Sequence, residues 1–165
     1  MRLAFSFVLL LAACTTPAPA PVPSASPAPS SDGVLVVPCS HQIDFLSSPP
    51  PDHEIVLDTV ALPTQTLTAH PTNEPGKLFA KHGLIVRNNS TVDLVVSGED
   101  LGKVTIGWGN AELGDVTHLR VSCTGQPGWI VFAGGYSVTE PRCATLVIRV
   151  GTTQQDAHIP ISKPC

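Results

Sequence analysis

The chain has 165 residues, 9 Lys+Arg against 13 Asp+Glu, a formal net charge of −4 and 13% charged residues, about half the usual globular share. No cluster of basic residues occurs along it, so there is no electrostatic footprint for nucleic acid. Beyond the N-terminus no apolar run approaches the length of a membrane-spanning helix.

Residues 1–13 read as an export signal: Arg2 supplies the positive start, and residues 3–11 form an apolar stretch too short to span a bilayer. The stretch ends in Leu11-Ala12-Ala13-Cys14, small residues before a cysteine, as in a bacterial lipobox. Lipidation of Cys14 is therefore expected. Two acyl chains would suffice for a stable anchor, since each buried methylene contributes about 0.8 kcal/mol. Residues 14–32 then form a linker with six prolines among Ala, Ser, Thr and Val. Such a segment cannot bury a core, and as extended polyproline it would hold the following domain up to roughly 50 Å from the lipid.

Residues 33–165 form the one expected domain. Short β-rich runs separated by turn residues dominate it, without sustained helical periodicity. The predicted strands cover 34–38, 54–62, 78–86, 92–97, 103–108, 117–123, 129–133, 144–150 and 157–162. Strict alternation places Val92/Leu94/Val96, Val104/Ile106/Trp108 and Leu119/Val121/Cys123 on core faces. Asn88-Asn89-Ser90 is expected to turn a hairpin, and Gly151-Thr152-Thr153-Gln154 another. The fold class is all-β: an antiparallel, immunoglobulin-like β-sandwich of about nine short strands with two disulfides.

With Cys14 lipidated, Cys39, Cys123, Cys143 and Cys165 remain, an even number in an exported chain, which predicts two bridges. Of three possible pairings the favoured one joins Cys123 to Cys143, across the Trp129 segment, and Cys39 to Cys165, tying the domain ends. Metal is not expected, because no two cysteines are close in sequence and His41, His53, His70, His82, His118 and His158 lack zinc-motif spacing. Glu99-Asp100 and the acids of 112–115 read as solvated turns rather than a shared cation site. No nucleophile elbow, phosphate-cradling loop or calcium loop is present, so no catalytic residue and no cofactor is assigned.

Both tryptophans and the only tyrosine fall in Ile106-Gly107-Trp108-Gly109 and in 129–136. Glycines inside strands mark a bulge or a close approach of backbone or ligand. Trp129 is expected in the core, while Tyr136, after Gly134-Gly135, is expected in a loop as the better ligand contact, with Trp108 as a second. Through Leu78-Phe79-Ala80-Lys81-x-Gly83-Leu84, Ile106-Gly107-Trp108-Gly109, Ala133-Gly134-Gly135-Tyr136 with Cys143 after it, and Pro164-Cys165, the chain resembles a group of small exported proteins and lipoproteins of actinobacteria. The resemblance implies an envelope location and the cysteine framework, and carries no activity.

The function expected from this reading is a lipid-anchored, non-catalytic binding or structural module on the outer face of the bacterial cell membrane. Its expected partners are the membrane, through the lipid, and a cell-wall glycan or envelope protein. One alternative is a carbohydrate-binding module using Trp108, Trp129 and Tyr136. Another is an envelope hydrolase assembled around His82 or His118.

Overall fold

The computed structural model describes residues 33–165. The leader, Cys14 and the proline-rich linker lie outside the described residues. Fourteen strands follow one another: β1 (Leu35–Val36), β2 (Gln42–Leu46), β3 (His53–Val56), β4 (Val60–Pro63), β5 (His70–Pro71), β6 (Leu78–Lys81), β7 (Leu84–Arg87), β8 (Thr91–Val96), β9 (Val104–Trp108), β10 (His118–Ser122), β11 (Trp129–Phe132), β12 (Gly134–Val138), β13 (Arg142–Val150) and β14 (Thr153–Ile161). Helical structure among the described residues is confined to three short 3-10 turns.

The strands make two layers. One is the sheet β1-β10-β8-β13-β14. The other consists of β2-β11-β7-β4-β3 and β5-β6-β12-β9, which share one continuous ladder. Phe132 lies opposite Leu84 in the first half and Gly135 opposite Lys81 in the second, and the His82 amide bridges the join by donating to the Gly134 carbonyl at 2.9 Å. The β6–β7 and β11–β12 runs are thus two long strands bent together. Leu94, Leu119, Leu146 and Ile148 of the first layer and Val86, Ile130, Phe132 and Tyr136 of the second belong to one core.

The three alternating sets predicted to face inward are all buried. There are more strands than the nine predicted. The run 54–62 is a hairpin, β3 and β4, turning at Leu57 and Asp58, whose φ angles are +48° and +55°. Asp tolerates that conformation better than most residues, but Leu does not. Contacts hold the turn in place: the Arg87 amide donates to the Thr59 carbonyl at 2.7 Å, and the Arg87 guanidinium pairs with the Asp58 carboxylate at 2.7 Å. Asn88–Ser90 does not turn a hairpin, because β7 and β8 belong to different layers. It crosses the end of the sandwich, with the Asn88 amide bonded to the Gly128 carbonyl and that of Asn89 to the Cys123 carbonyl. The predicted C-terminal hairpin is present, with Val150 opposite Thr153.

All four cysteines pair, as Cys39–Cys123 and Cys143–Cys165, which corrects the favoured connectivity. β1 runs parallel to β10 with Val36 beside Arg120, so three residues further on Cys39 meets Cys123. The β8 strand separates β10 from β13, and Cys143 is at the far end of β13 from the level of Cys123. Those two sulfurs are more than 20 Å apart by strand rise, about 3.4 Å per residue. In the chain-entropy model, loops of 84 and 22 residues correspond to about 4.5 and 3.4 kcal/mol.

The connection from β2 to β3, residues 47–52, crosses from one edge of its half-sheet to the other. Its ends are four strand spacings apart and offset by four residues along the strands, a diagonal of about 23 Å. The segment bends at residues 47–48 and closes a turn at its end, where the His53 amide donates to the Pro50 carbonyl at 3.2 Å. On the outer face of this half-sheet Ile85, Ala61 and Trp129 form a small second core, 1 to 5% exposed.

Candidate binding cleft

Trp108, 2% exposed, and Tyr136, 0% exposed, are interior residues. This corrects the expectation of a surface aromatic contact. Tyr136 belongs to β12, opposite Ala80 and Ile106, rather than to a loop. Its ring meets Trp108 edge-on at 5.1 Å, and the Trp108 Nε1–H donates to the His82 carbonyl at 2.8 Å. The Tyr136 hydroxyl has no hydrogen-bond partner among the described residues, and burial pushes its pKa up. Trp129 is buried as expected, but on the outer face, against Ala61 and Ile85 and with the Arg87 guanidinium 4.6 Å from its ring centroid. Rings so enclosed cannot stack on a sugar.

The glycines of these segments serve the bend. A Cβ on Gly134 would strike the Gly107 carbonyl and the Trp108 ring, and one on Gly135 the Ala80 carbonyl. The space over Gly107 is filled by Asp115: a Cβ there would lie 2.5 Å from its Oδ1. Because Gly107 presents no side chain, the loop after β9 folds back over it and sets the Asp115 carboxylate on the outer face.

Asp115 there accepts from Ser137 Oγ at 2.6 Å, from Thr105 Oγ1 at 3.4 Å and from Lys77 Nζ at 3.1 Å. Burial pushes this carboxyl up, but its bonds to Ser137, Lys77 and Thr105 outweigh burial and hold it below the usual range. The same contact raises the Lys77 ammonium, which also reaches Glu74 at 3.3 Å. This polar node forms one flank of a cleft of about 340 Å³ between the turn at Pro75-Gly76 and the turn at Gly102-Lys103. Val104 and Val138 line it only through the backbone, since their side chains are buried in the core, and Thr105, Ser137 and Thr139 contribute hydroxyl-bearing residues. Its residues were not singled out as a site in the sequence, because they come from three separated segments with no shared motif.

Elsewhere His53, His82, His118 and His158 take part in polar or ring contacts, His53 Nδ1 lying 2.9 Å from Asp52 Oδ1. His118 Nε2 lies 3.1 Å from Asp93, which also takes the Arg120 guanidinium at 2.7 and 2.9 Å. Burial raises the Asp93 carboxyl, and the Arg120 and His118 hydrogen bonds more than reverse it. His82 stacks near His53 at 5.2 Å, and its pKa is lowered by burial and by the neighbouring imidazole. Thr145 Oγ1 touches both His158 Nδ1 and Glu99 at 3.3 Å, but in a relay the acid would hold the other imidazole nitrogen rather than the hydroxyl. The acids at 99–100 and 115 do not converge: Asp100, 5% exposed and so not a solvated turn residue, pairs with Arg142 at 3.2 Å, while Asp115 pairs with Lys77.

No protein-family model, no curated protein and no solved structure matches the chain. Its two disulfides are consistent with an exported protein. No helix among the described residues is long and apolar enough to cross a membrane.

Proposed function

We propose that this chain is a lipid-anchored, non-catalytic binding module of the bacterial cell envelope, held on the outer face of the membrane by acyl chains on Cys14. The observation that carries the exported location is the pair of disulfides, one tying β1 to β10 and the other fastening the C-terminus to β13. Such bridges form and persist mainly where the surroundings are oxidising. The Leu11-Ala12-Ala13-Cys14 run supports the anchor, and the proline-rich linker supports a domain presented away from the lipid. A binding role is supported by the cleft beside Asp115, whose walls bring a few polar groups together. The partner on this reading is an envelope component, a cell-wall glycan or another envelope protein, or a fragment of one. Carbohydrate stacking on Trp108 and Tyr136 is not part of this reading.

The anchor is tested by growing a bacterial host with labelled palmitate. The unsubstituted protein is expected to take up label and sediment with membranes, and Cys14→Ser to do neither. An unlabelled protein recovered from the medium would contradict the anchored reading.

A further inference from the structure

His53 opens β3, at the edge of its half-sheet, and His82 occupies the bend between β6 and β7. The fold brings their rings to 5.2 Å between centroids, tilted by 35°. Each ring has an acceptor for one of its nitrogens: Asp52 Oδ1 lies 2.9 Å from His53 Nδ1, and the Gly83 carbonyl serves His82. A carboxylate beside Nδ1 keeps the proton there and leaves a lone pair on Nε2. That Nε2 is buried, in a side chain only 8% exposed, and has no hydrogen-bond partner among the described residues. An imidazole oriented through one nitrogen, with the other unsatisfied, is the arrangement of a histidine that ligates a metal.

The spacing fits as well. With metal–nitrogen bonds of about 2.0–2.1 Å and a tetrahedral angle, two ligating imidazoles bring their ring centroids to about 5 Å. We propose that His53 and His82 bind one divalent transition-metal ion, Cu²⁺ or Zn²⁺, with Asp52 as the positioning residue behind His53. Among the described residues no group of three His, Cys, Asp or Glu is placed to hold a metal ion, so the pair supplies two protein ligands and water the rest. Such an ion is held more loosely than in a four-ligand structural zinc site. His82 is half-buried and gives the ion its way in. Once bound, the ion ties the edge hairpin β3–β4 to the bend. Imidazole ligands favour Cu²⁺ over Zn²⁺ and do not suit Mg²⁺, which takes oxygen ligands.

The test is a titration of the full chain carrying Cys14→Ser, stripped with EDTA and then freed of the chelator, with Zn²⁺, Cu²⁺ and Mg²⁺ as probes. Zn²⁺ is expected to move the imidazole NMR signals of His53 and His82 and to leave those of His118 and His158 in place. Calorimetry should show tighter binding of Cu²⁺ than of Zn²⁺ and none of Mg²⁺. His53→Gln and His82→Gln should each weaken Zn²⁺ at least tenfold. Asp52→Asn should weaken it about tenfold with the melting temperature of the metal-free protein unchanged, and His118→Gln should change nothing. Zn²⁺ that leaves the His53 and His82 signals of the unsubstituted histidine pair unmoved would overturn the site, whether or not the variants fold. Full Zn²⁺ affinity in either histidine variant would overturn it too, and full affinity in Asp52→Asn would remove the positioning role.

Discussion

The two halves of the bent sheet share the same two long strands, yet their outer faces are finished in opposite ways. In the half built on β7 and β11, Ile85, Ala61 and Trp129 point outward and bury one another. In the half built on β6 and β12, Gly107 removes a side chain, and a loop brings in the Asp115 carboxylate instead. Apolar packing closes the middle of the first half, while Ile55 on its edge strand is 46% exposed. Polar cover closes the second only in part, because Asp115 satisfies Ser137, Thr105 and Lys77 but leaves the strand ends at Thr105 and Thr139 open as the cleft. Side-chain size on one face of a continuous ladder thus decides which end is sealed.

The largest expected effect breaks the sealed half. Trp129→Ala should lower stability by about 3–5 kcal/mol through lost transfer energy and the cavity left beside Ile85 and Ala61; urea unfolding curves measure it. A loss below about 1 kcal/mol would mean that the surroundings collapse onto the gap. In the open half, Asp115→Ala strands the Ser137 hydroxyl and the Lys77 ammonium and should cost about 1–3 kcal/mol. The Asp115 pKa is depressed in the fold, so its contribution is present above the ordinary carboxyl range and is lost as pH falls through the lower folded value. The wild-type and Asp115→Ala stability curves should therefore converge on acidification, and parallel curves from pH 5 to pH 2 would contradict the node.

Smaller effects sharpen the comparison. Replacing Pro49 and Pro50 by glycine should cost about 1–2 kcal/mol, mainly by freeing the unfolded chain, without altering the amide shifts of the cleft lips. Tyr136→Phe removes a hydroxyl that has no partner and should be neutral or stabilising by up to about 1 kcal/mol; a marked loss in thermal melting would show that the hydroxyl is satisfied. At the bend between the halves, the depressed His82 pKa implies stability present above the unfolded value near 6.5 and lost as pH falls through the folded one. His82→Asn should flatten that slope between pH 7 and pH 5, read from denaturation midpoints.

Much of the architecture was legible in the residues. Alternation in Val92/Leu94/Val96 and in Leu119/Val121/Cys123 reflects a half-buried ladder, and these residues are buried. The β3–β4 turn was hidden because Leu57 is not a turn residue by preference and a lone Asp58 gives a weak signal; Arg87, 29 positions away from Asp58, holds the turn there. The strand β2 was missed because Ile43 and Phe45, 63% and 43% exposed, give an edge strand no buried face to read. Glycines announced a close approach at 107 and 134–135, but their partners, a carboxylate and two carbonyls, depend on long-range pairing. The disulfide connectivity failed for the same reason, since the parallel β1–β10 contact that brings Cys39 to Cys123 leaves no local trace. The cleft draws on three segments whose neighbourhood exists only after the sheet bends.

The contrast between the two halves is tested most directly by residue-level hydrogen exchange. Amides of Ile85, Val86 and Ile130 should exchange only through global unfolding, while those of Gly76 and Gly102, in the turns beside the cleft, should exchange fast. Uniform protection across both halves would contradict it.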